Sequence, residues 1–115
     1  MEIDLAIRRL SALAHEGRLA AFRLLVKTGP DGLPAGEISL VLDVAPNTLS
    51  AQLSVLENAG LIRHRRAGRS IIYAAEYGAI SELLVYLMQD CCQGRPEVCA
   101  PLTRPFEDAE PCRNS

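Results

Sequence analysis

Cysteine is missing from the first 90 residues of this 115-residue chain, and all four, Cys91, Cys92, Cys99 and Cys112, fall in the last 25. Tryptophan is absent, and three Tyr and two Phe are too few for an aromatic base-stacking platform. No stretch approaches the ~18 consecutive apolar residues of a membrane-spanning helix. Met1-Glu2-Ile3-Asp4 is acidic and opens no apolar run, which speaks against a signal peptide. A strong charge of either sign is lacking too, since 12 basic against 14 acidic residues leave a net −2. What is present, 49% hydrophobic and 23% charged residues in helical spacings, suits one small globular domain and excludes a disordered chain. The expected setting is soluble and cytoplasmic, where clustered thiols read as metal-binding or redox-active and not as structural disulfides.

Ile3, Ile7, Leu10 and Ala14 predict a helix over residues 3–14, with Arg8, Arg9 and Ser11 on its other side. A second helix is predicted from His15 to about Thr28, with Leu19, Phe22 and Val26 on one face. Leu24 and Leu25 widen that face towards burial on two sides. Gly29-Pro30-Asp31-Gly32-Leu33-Pro34 reads as a breaker segment. A short helix over 37–42, with Ile38, Val41 and Leu42 at i, i+3 and i+4, is interrupted by Asp43-Val44-Ala45. Pro46 suits the first turn of the next helix, 46–59, which keeps Leu49, Leu53 and Leu56 on one stripe and ends at Gly60. That is helix-turn-helix spacing.

Residues 61–66 and 70–74 flank Ala67-Gly68-Arg69 and predict a β-hairpin. Tyr77 to about Cys91 returns to helical spacing, with Ile80, Leu83, Leu84, Leu87 and Met88 on one face. Pro96, Pro101, Pro105 and Pro111 exclude regular structure beyond Gly94. The expected fold is mainly α with a small β-hairpin, in the order α-α-α-α-β-β-α of a winged helix-turn-helix. One folded domain is expected over 1–92, followed by a flexible Cys- and Pro-containing tail over 93–115.

From Val44 to Ala75 the one acid, Glu57, faces Arg63, Arg65, Arg66 and Arg69, so this stretch is net +3 within an acidic chain. With the leucine stripe inward, Asn47, Ser50, Ala51, Ser54 and Asn58 fall on the opposite side of the 46–59 helix. Small and amide side chains let a helix enter the major groove and read base edges. Thr48 at the flank suits a phosphate oxygen, and Arg65, Arg66 and Arg69 would reach phosphates or a minor groove. A polar helix face alone is a solvated face, and arginines alone are solubilising. In this order and with this charge contrast they point to double-stranded DNA.

Ala45 to Ile62, then Arg65-Arg66-Ala67-Gly68-Arg69 and Ile72-Tyr73, with the early His15-Glu16-Gly17-Arg18-Leu19, resemble the ArsR family of metal-sensing repressors over residues 5–90. The resemblance implies a homodimer paired through the first and last helices, bound to an operator and released by a metal or metalloid. The apolar faces of Ile3, Ile7, Leu10 and of Ile80, Leu83, Leu84, Leu87 agree, being more than a core of this size covers. The family's arsenic motif at the helix before the recognition helix is absent, because residues 35–40 are Ala-Gly-Glu-Ile-Ser-Leu. Its last-helix zinc site is missing too, since His15 and His64 lie elsewhere.

What remains is Cys91-Cys92-x6-Cys99, where Gly94 and Pro96 allow the chain to turn back. Three thiolates without an imidazole suit a soft ion, and As(III), with Sb(III) beside it, takes three sulfurs in a pyramid. Cys112 would complete four sulfurs for zinc or cadmium, but its acidic, proline-rich surroundings mark it as uninvolved. The expected function is an arsenite-responsive repressor, with no organic cofactor and no membrane partner. The alternatives are a thiol redox sensor or a sensor of Cd, Zn, Sb or Bi in the same fold. An enzyme is not expected. Six residues beyond Cys91, Cys92 and Cys99 stand Glu97, Val98 and Pro105, so no Cys-x5-Arg loop exists, and no catalytic residue is assigned.

Overall fold

Ala6, Arg9 and Ala12 recur every third residue along helix α1 (Ile3–Leu13) and form its buried side. The computed structural model describes residues 1–89, so segment 90–115, with all four cysteines and the predicted tail, lies outside the described residues. The apolar spacing predicts Ile3, Ile7 and Leu10 as one face, assigned to dimer pairing, with Arg9 on the other side. The three large side chains are exposed, and Arg9 is buried within its own chain. Alanines let α1 approach its neighbours closely, which a row of isoleucines would prevent.

Helix α2 (Glu16–Thr28) starts at His15, whose Nδ1 accepts the Arg18 amide at 3.2 Å as an N-cap. It buries Ala21, Phe22 and Leu25, while Leu19 and Val26 are exposed, so burial is one-sided and rotated from the predicted stripe. The physical reason is the position of the core, in which Phe22 and Leu25 join Ile38, Leu53, Leu56 and Leu61.

The breaker segment hides a strand, β1 (Leu33–Pro34), which pairs antiparallel with β3 (Ser70–Ala75) at Leu33–Tyr73 and Pro34–Ile72. Its place at the edge of the order β1-β3-β2 explains the proline, which lacks a ladder donor. Helix α3 (Ala35–Leu42) buries Ile38 of the i, i+3, i+4 set but leaves Val41 exposed, and Leu40 82% exposed. A helix of two turns closed by Asp43 in the left-handed region presents little more than one side chain fully to the core.

Helix α4 (Pro46–Asn58) buries Leu49, Leu53 and Leu56 as the stripe predicts. Strand β2 (Ile62–Ala67) pairs with β3 from Ile62–Ala75 to Ala67–Ser70. Gly68 and Arg69 make a two-residue turn in which Gly68 alone has positive φ (+64°), the type II′ pattern. Helix α5 (Tyr77–Met88) follows, anchored by the Tyr77 hydroxyl donating to the Val26 carbonyl at 2.9 Å. Among the described residues, five helices and a three-stranded sheet thus form a winged helix-turn-helix.

Residues Met1–Leu84 make one compact unit, and the last turn of α5 belongs to a second, Val85–Ser115, described as far as residue 89. Among the predicted dimer residues, Ile3, Ile7, Leu10, Leu84 and Leu87 are exposed and Ile80 is half-buried. Leu83, at 5% exposure, packs within its own chain. Each fully buried leucine or isoleucine of the core contributes about 1.5–3 kcal/mol. No helix among the described residues is long and apolar enough to cross a membrane.

Candidate nucleic-acid interface

The turn between α3 and α4 is held by two bonds across it. The Val44 amide donates to the Ser39 carbonyl at 3.1 Å, and the Ser39 hydroxyl donates to the Val44 carbonyl. Asp43 supplies the left-handed residue that reverses the chain. Helix α4 then begins at Pro46 with no side-chain cap on Ala45. Its first-turn amides have no intrahelical acceptor and carry the positive end of the helix dipole.

With Leu49, Leu53 and Leu56 buried, Asn47, Thr48, Ser50, Ala51 and Ser54 all stand exposed on α4. The structure therefore brings the five helix residues of the predicted contact set to one solvent-facing side. None of the five is charged or bulky, so this face offers hydroxyls, an amide and a methyl to whatever it meets.

The wing sorts its arginines by strand alternation. Arg63 and Arg65 share one face of β2, and both are held by their own chain. Arg63 donates to the Ala75 carbonyl at 3.1 Å and pairs with Glu76 at 3.0 Å, while Arg65 donates to the Asp31 carbonyl at 3.1 Å. Arg66 lies on the other face and Arg69 at the turn, both exposed, and neither has a side-chain partner among the described residues. Of the three predicted wing contacts, Arg66 and Arg69 are the ones whose donors meet no acceptor among the described residues.

The other face of β2 also ties the wing to α4. His64 Nδ1 bonds the Glu57 carboxylate, and its ring lies 5.7 Å from that of Tyr73. Burial raises the Tyr73 phenol above its ordinary pKa, with the Glu57 charge adding to it. The spacing shows neither this triad nor the role of Arg8 and Arg9, which reach the far end of α4. The one visible sign is the small pair Ala6 and Ala12, which marks a closely packed face with Arg9 at its centre. Among the described residues no three His, Cys, Asp or Glu side chains stand together to hold an ion, and Cys91, Cys92 and Cys99 lie outside them.

A family model described as a helix-turn-helix domain matches residues 13–65. The chain is 37% identical over 75 residues to the HTH-type transcriptional regulator NmtR of Mycobacterium tuberculosis, covering 65% of this chain and 60% of that protein. It is 39% identical over 69 residues to a Halobacterium salinarum protein assigned as the arsenical resistance operon repressor ArsR, covering 60% and 51%. The chain thus spans between half and two thirds of the length of these relatives. Among solved structures it is similar to the homodimeric winged helix-turn-helix DNA-binding domain of a possible ArsR-family transcriptional regulator from Mycobacterium bovis. That likeness has a TM-score of 0.63 and 28% identity, and covers 76% of this chain and 81% of that one.

Proposed function

Since the chain belongs to the ArsR family of winged helix-turn-helix transcriptional regulators, we propose that it is an arsenite-responsive repressor and not an enzyme. On this reading a cytoplasmic homodimer occupies operator DNA and leaves it when As(III) is bound by Cys91, Cys92 and Cys99. The observation that carries the DNA-binding half is the exposed polar face of α4 beside Arg66 and Arg69, which have no side-chain partner among the described residues. A helix with buried leucines and small polar groups outward enters the major groove, while the wing neutralises phosphates. Asn47, Ser50, Ala51 and Ser54 face base edges, and Thr48 with the uncapped amides of α4 faces a phosphate.

The metalloid half rests on the donor set. Both imidazoles of the chain are engaged, His15 as the cap of α2 and His64 with Glu57. Thiolates are then the donors left for a soft ion, and three of them match the pyramidal preference of As(III), with Sb(III) as a second inducer. When bound, the ion draws together three cysteines that follow α5. Repacking of α5 against the dimer would change the spacing of the two α4 helices, and a few kcal/mol of differential binding between the two states suffices.

The test is a fluorescence anisotropy titration of the purified protein on the duplex upstream of its own gene, with and without arsenite. Binding is expected to weaken steeply with salt and to fall about 10-fold or more with arsenite, a coupling within the usual range. Cys99→Ser should bind the duplex as wild type does and stay bound in arsenite. Release of Cys99→Ser at the same arsenite concentration overturns the three-sulfur site. Release by oxidant, with arsenite inert, replaces it with thiol redox sensing.

A further inference from the structure

The C-terminal end of α4 has no basic residue of its own, yet two arginines from α1 reach it. Arg8 Nη2 donates to the Asn58 carbonyl at 2.7 Å, and Arg9 Nε donates to the Ala59 carbonyl at 3.0 Å. The last carbonyls of a helix lack intrahelical donors and carry its negative end, so two guanidinium groups from elsewhere in the chain close the helix. Arg9 goes further. Its Nη1 also donates to the Ala79 carbonyl at 3.4 Å and to Glu82 Oε1 at 3.1 Å, both in α5.

One buried fork, 8% exposed, therefore joins α1, the end of α4 and the start of α5. A planar group with five donors can do this, whereas a lysine has a single point of donation. Gly60 leaves room for it. Its φ is +79°, and a Cβ there would lie 3.1 Å from Arg9 Nη2. The opposite side of α1 carries the exposed Ile3, Ile7 and Leu10. The same helix thus holds α4 with one face and offers the other to solvent or a partner.

We propose that Arg9, with Arg8 beside it, is the positioning residue of the recognition helix, so that repacking of α1 or α5 tilts α4 and alters its fit to DNA. The start of α4 is fixed by the Ser39–Val44 bonds. Movement of the Ala59 carbonyl with the guanidinium therefore becomes rotation about the α3–α4 turn. The inference rests on the DNA-binding reading above and adds the route by which the dimer helices reach α4. Tilt changes what the helix reads at base edges and leaves the phosphate contacts of the wing in place.

The test compares wild type with Arg9→Lys in the full chain, which keeps the charge and loses the fork. The readouts are the affinity ratio for the upstream duplex over a scrambled one, and amide exchange along α4. The ratio is expected to fall about 10-fold or more with affinity for the scrambled duplex within about 2-fold, because only base readout depends on helix placement. Exchange at Ala59, Gly60 and Leu61 should quicken about 10-fold while Leu25 keeps its protection.

A merely stabilising Arg9 would weaken both duplexes together and preserve the ratio, and that result overturns the proposal. Unchanged exchange at the end of α4 overturns it as well. If the wild type shows no preference for its upstream duplex, the DNA-binding reading fails, and the exchange result alone decides whether Arg9 clamps α4. Should Arg9→Lys not fold, Glu82→Gln, at an exposed carboxylate, loosens the same fork. It is expected to lower the ratio about 3-fold, as coupled contacts do, and no change in ratio or exchange overturns the proposal.

Discussion

Arg63, Arg65, Arg66 and Arg69 bring four equal charges to one hairpin, but their surroundings separate them. Arg63 is occupied by Ala75 and Glu76, and Arg65 by the Asp31 carbonyl, whereas Arg66 and Arg69 extend into solvent. Replacing Arg66 or Arg69 with Ala should weaken binding to any duplex about equally and reduce the salt slope by about one counterion each. Arg65→Ala should change that slope by less, since part of its donor capacity is already used. Binding measured against log salt concentration checks this, and equal slope changes at Arg65 and Arg66 would contradict it.

Tyr73 gives a pH dependence of definite sign. Its folded pKa is raised by burial, with help from Glu57, above the ordinary 10.0. Below that value both states hold the proton and stability is flat. As pH rises past it the unfolded chain ionises first, so stability falls. Urea midpoints compared at about pH 8 and about pH 11 should drop for wild type and drop less for Tyr73→Phe. At this scale the exposed set on α4 was legible in the sequence because a leucine stripe fixes the opposite face. Arg9 was not, because an arginine beside polar neighbours reads as solvated until the alanines three residues to either side of it are weighed.

Among the elements, α4 and the hairpin could be read from periodicity, while β1 could not. Two residues hold no alternation, and Pro34 argues against any strand that is not at an edge. The buried side of α1 escapes the hydrophobic spacing, and that of α2 is rotated from the predicted stripe, for one shared reason. Small side chains, Ala6, Ala12 and Ala21, occupy the closest packed positions, and hydrophobic spacing gives weight to large ones. The wing allows a sharper test of how local geometry sets an element. Gly68 has φ +64° and open space where a Cβ would sit, so Gly68→Ala meets no clash and costs only the backbone strain. A left-handed φ costs a residue with a side chain about 1–2 kcal/mol. For a domain of this size that lowers the melting temperature by roughly 4–16 °C. Calorimetry should show that loss with the helical circular dichroism retained, and an unchanged melting point would mean the turn adopts another type freely.

At the scale of the whole molecule, the cysteines are legible as a composition and a spacing, which is why the proposed metalloid site rests on donor chemistry alone. The proposed dimer has a surface to rest on, because the described residues leave Ile3, Ile7 and Leu10 uncovered on a helix that buries Ala6, Arg9 and Ala12 on its other side. If that face pairs with a second copy, a buried carboxylate there would cost far more than an exposed one. Ile7→Glu should therefore yield a folded monomer by sedimentation, with the melting curve of its own core little changed, since Ile7 contributes nothing to that core. Two half-sites one helical turn apart need two linked α4 helices, so the same variant should lose most of its operator affinity while keeping weak binding to any duplex. A dimeric Ile7→Glu protein would place the pairing surface elsewhere. A monomer that still held the operator at full affinity would show that one α4 suffices, and the coupling of Arg9 to dimer packing would then have no partner helix to act through.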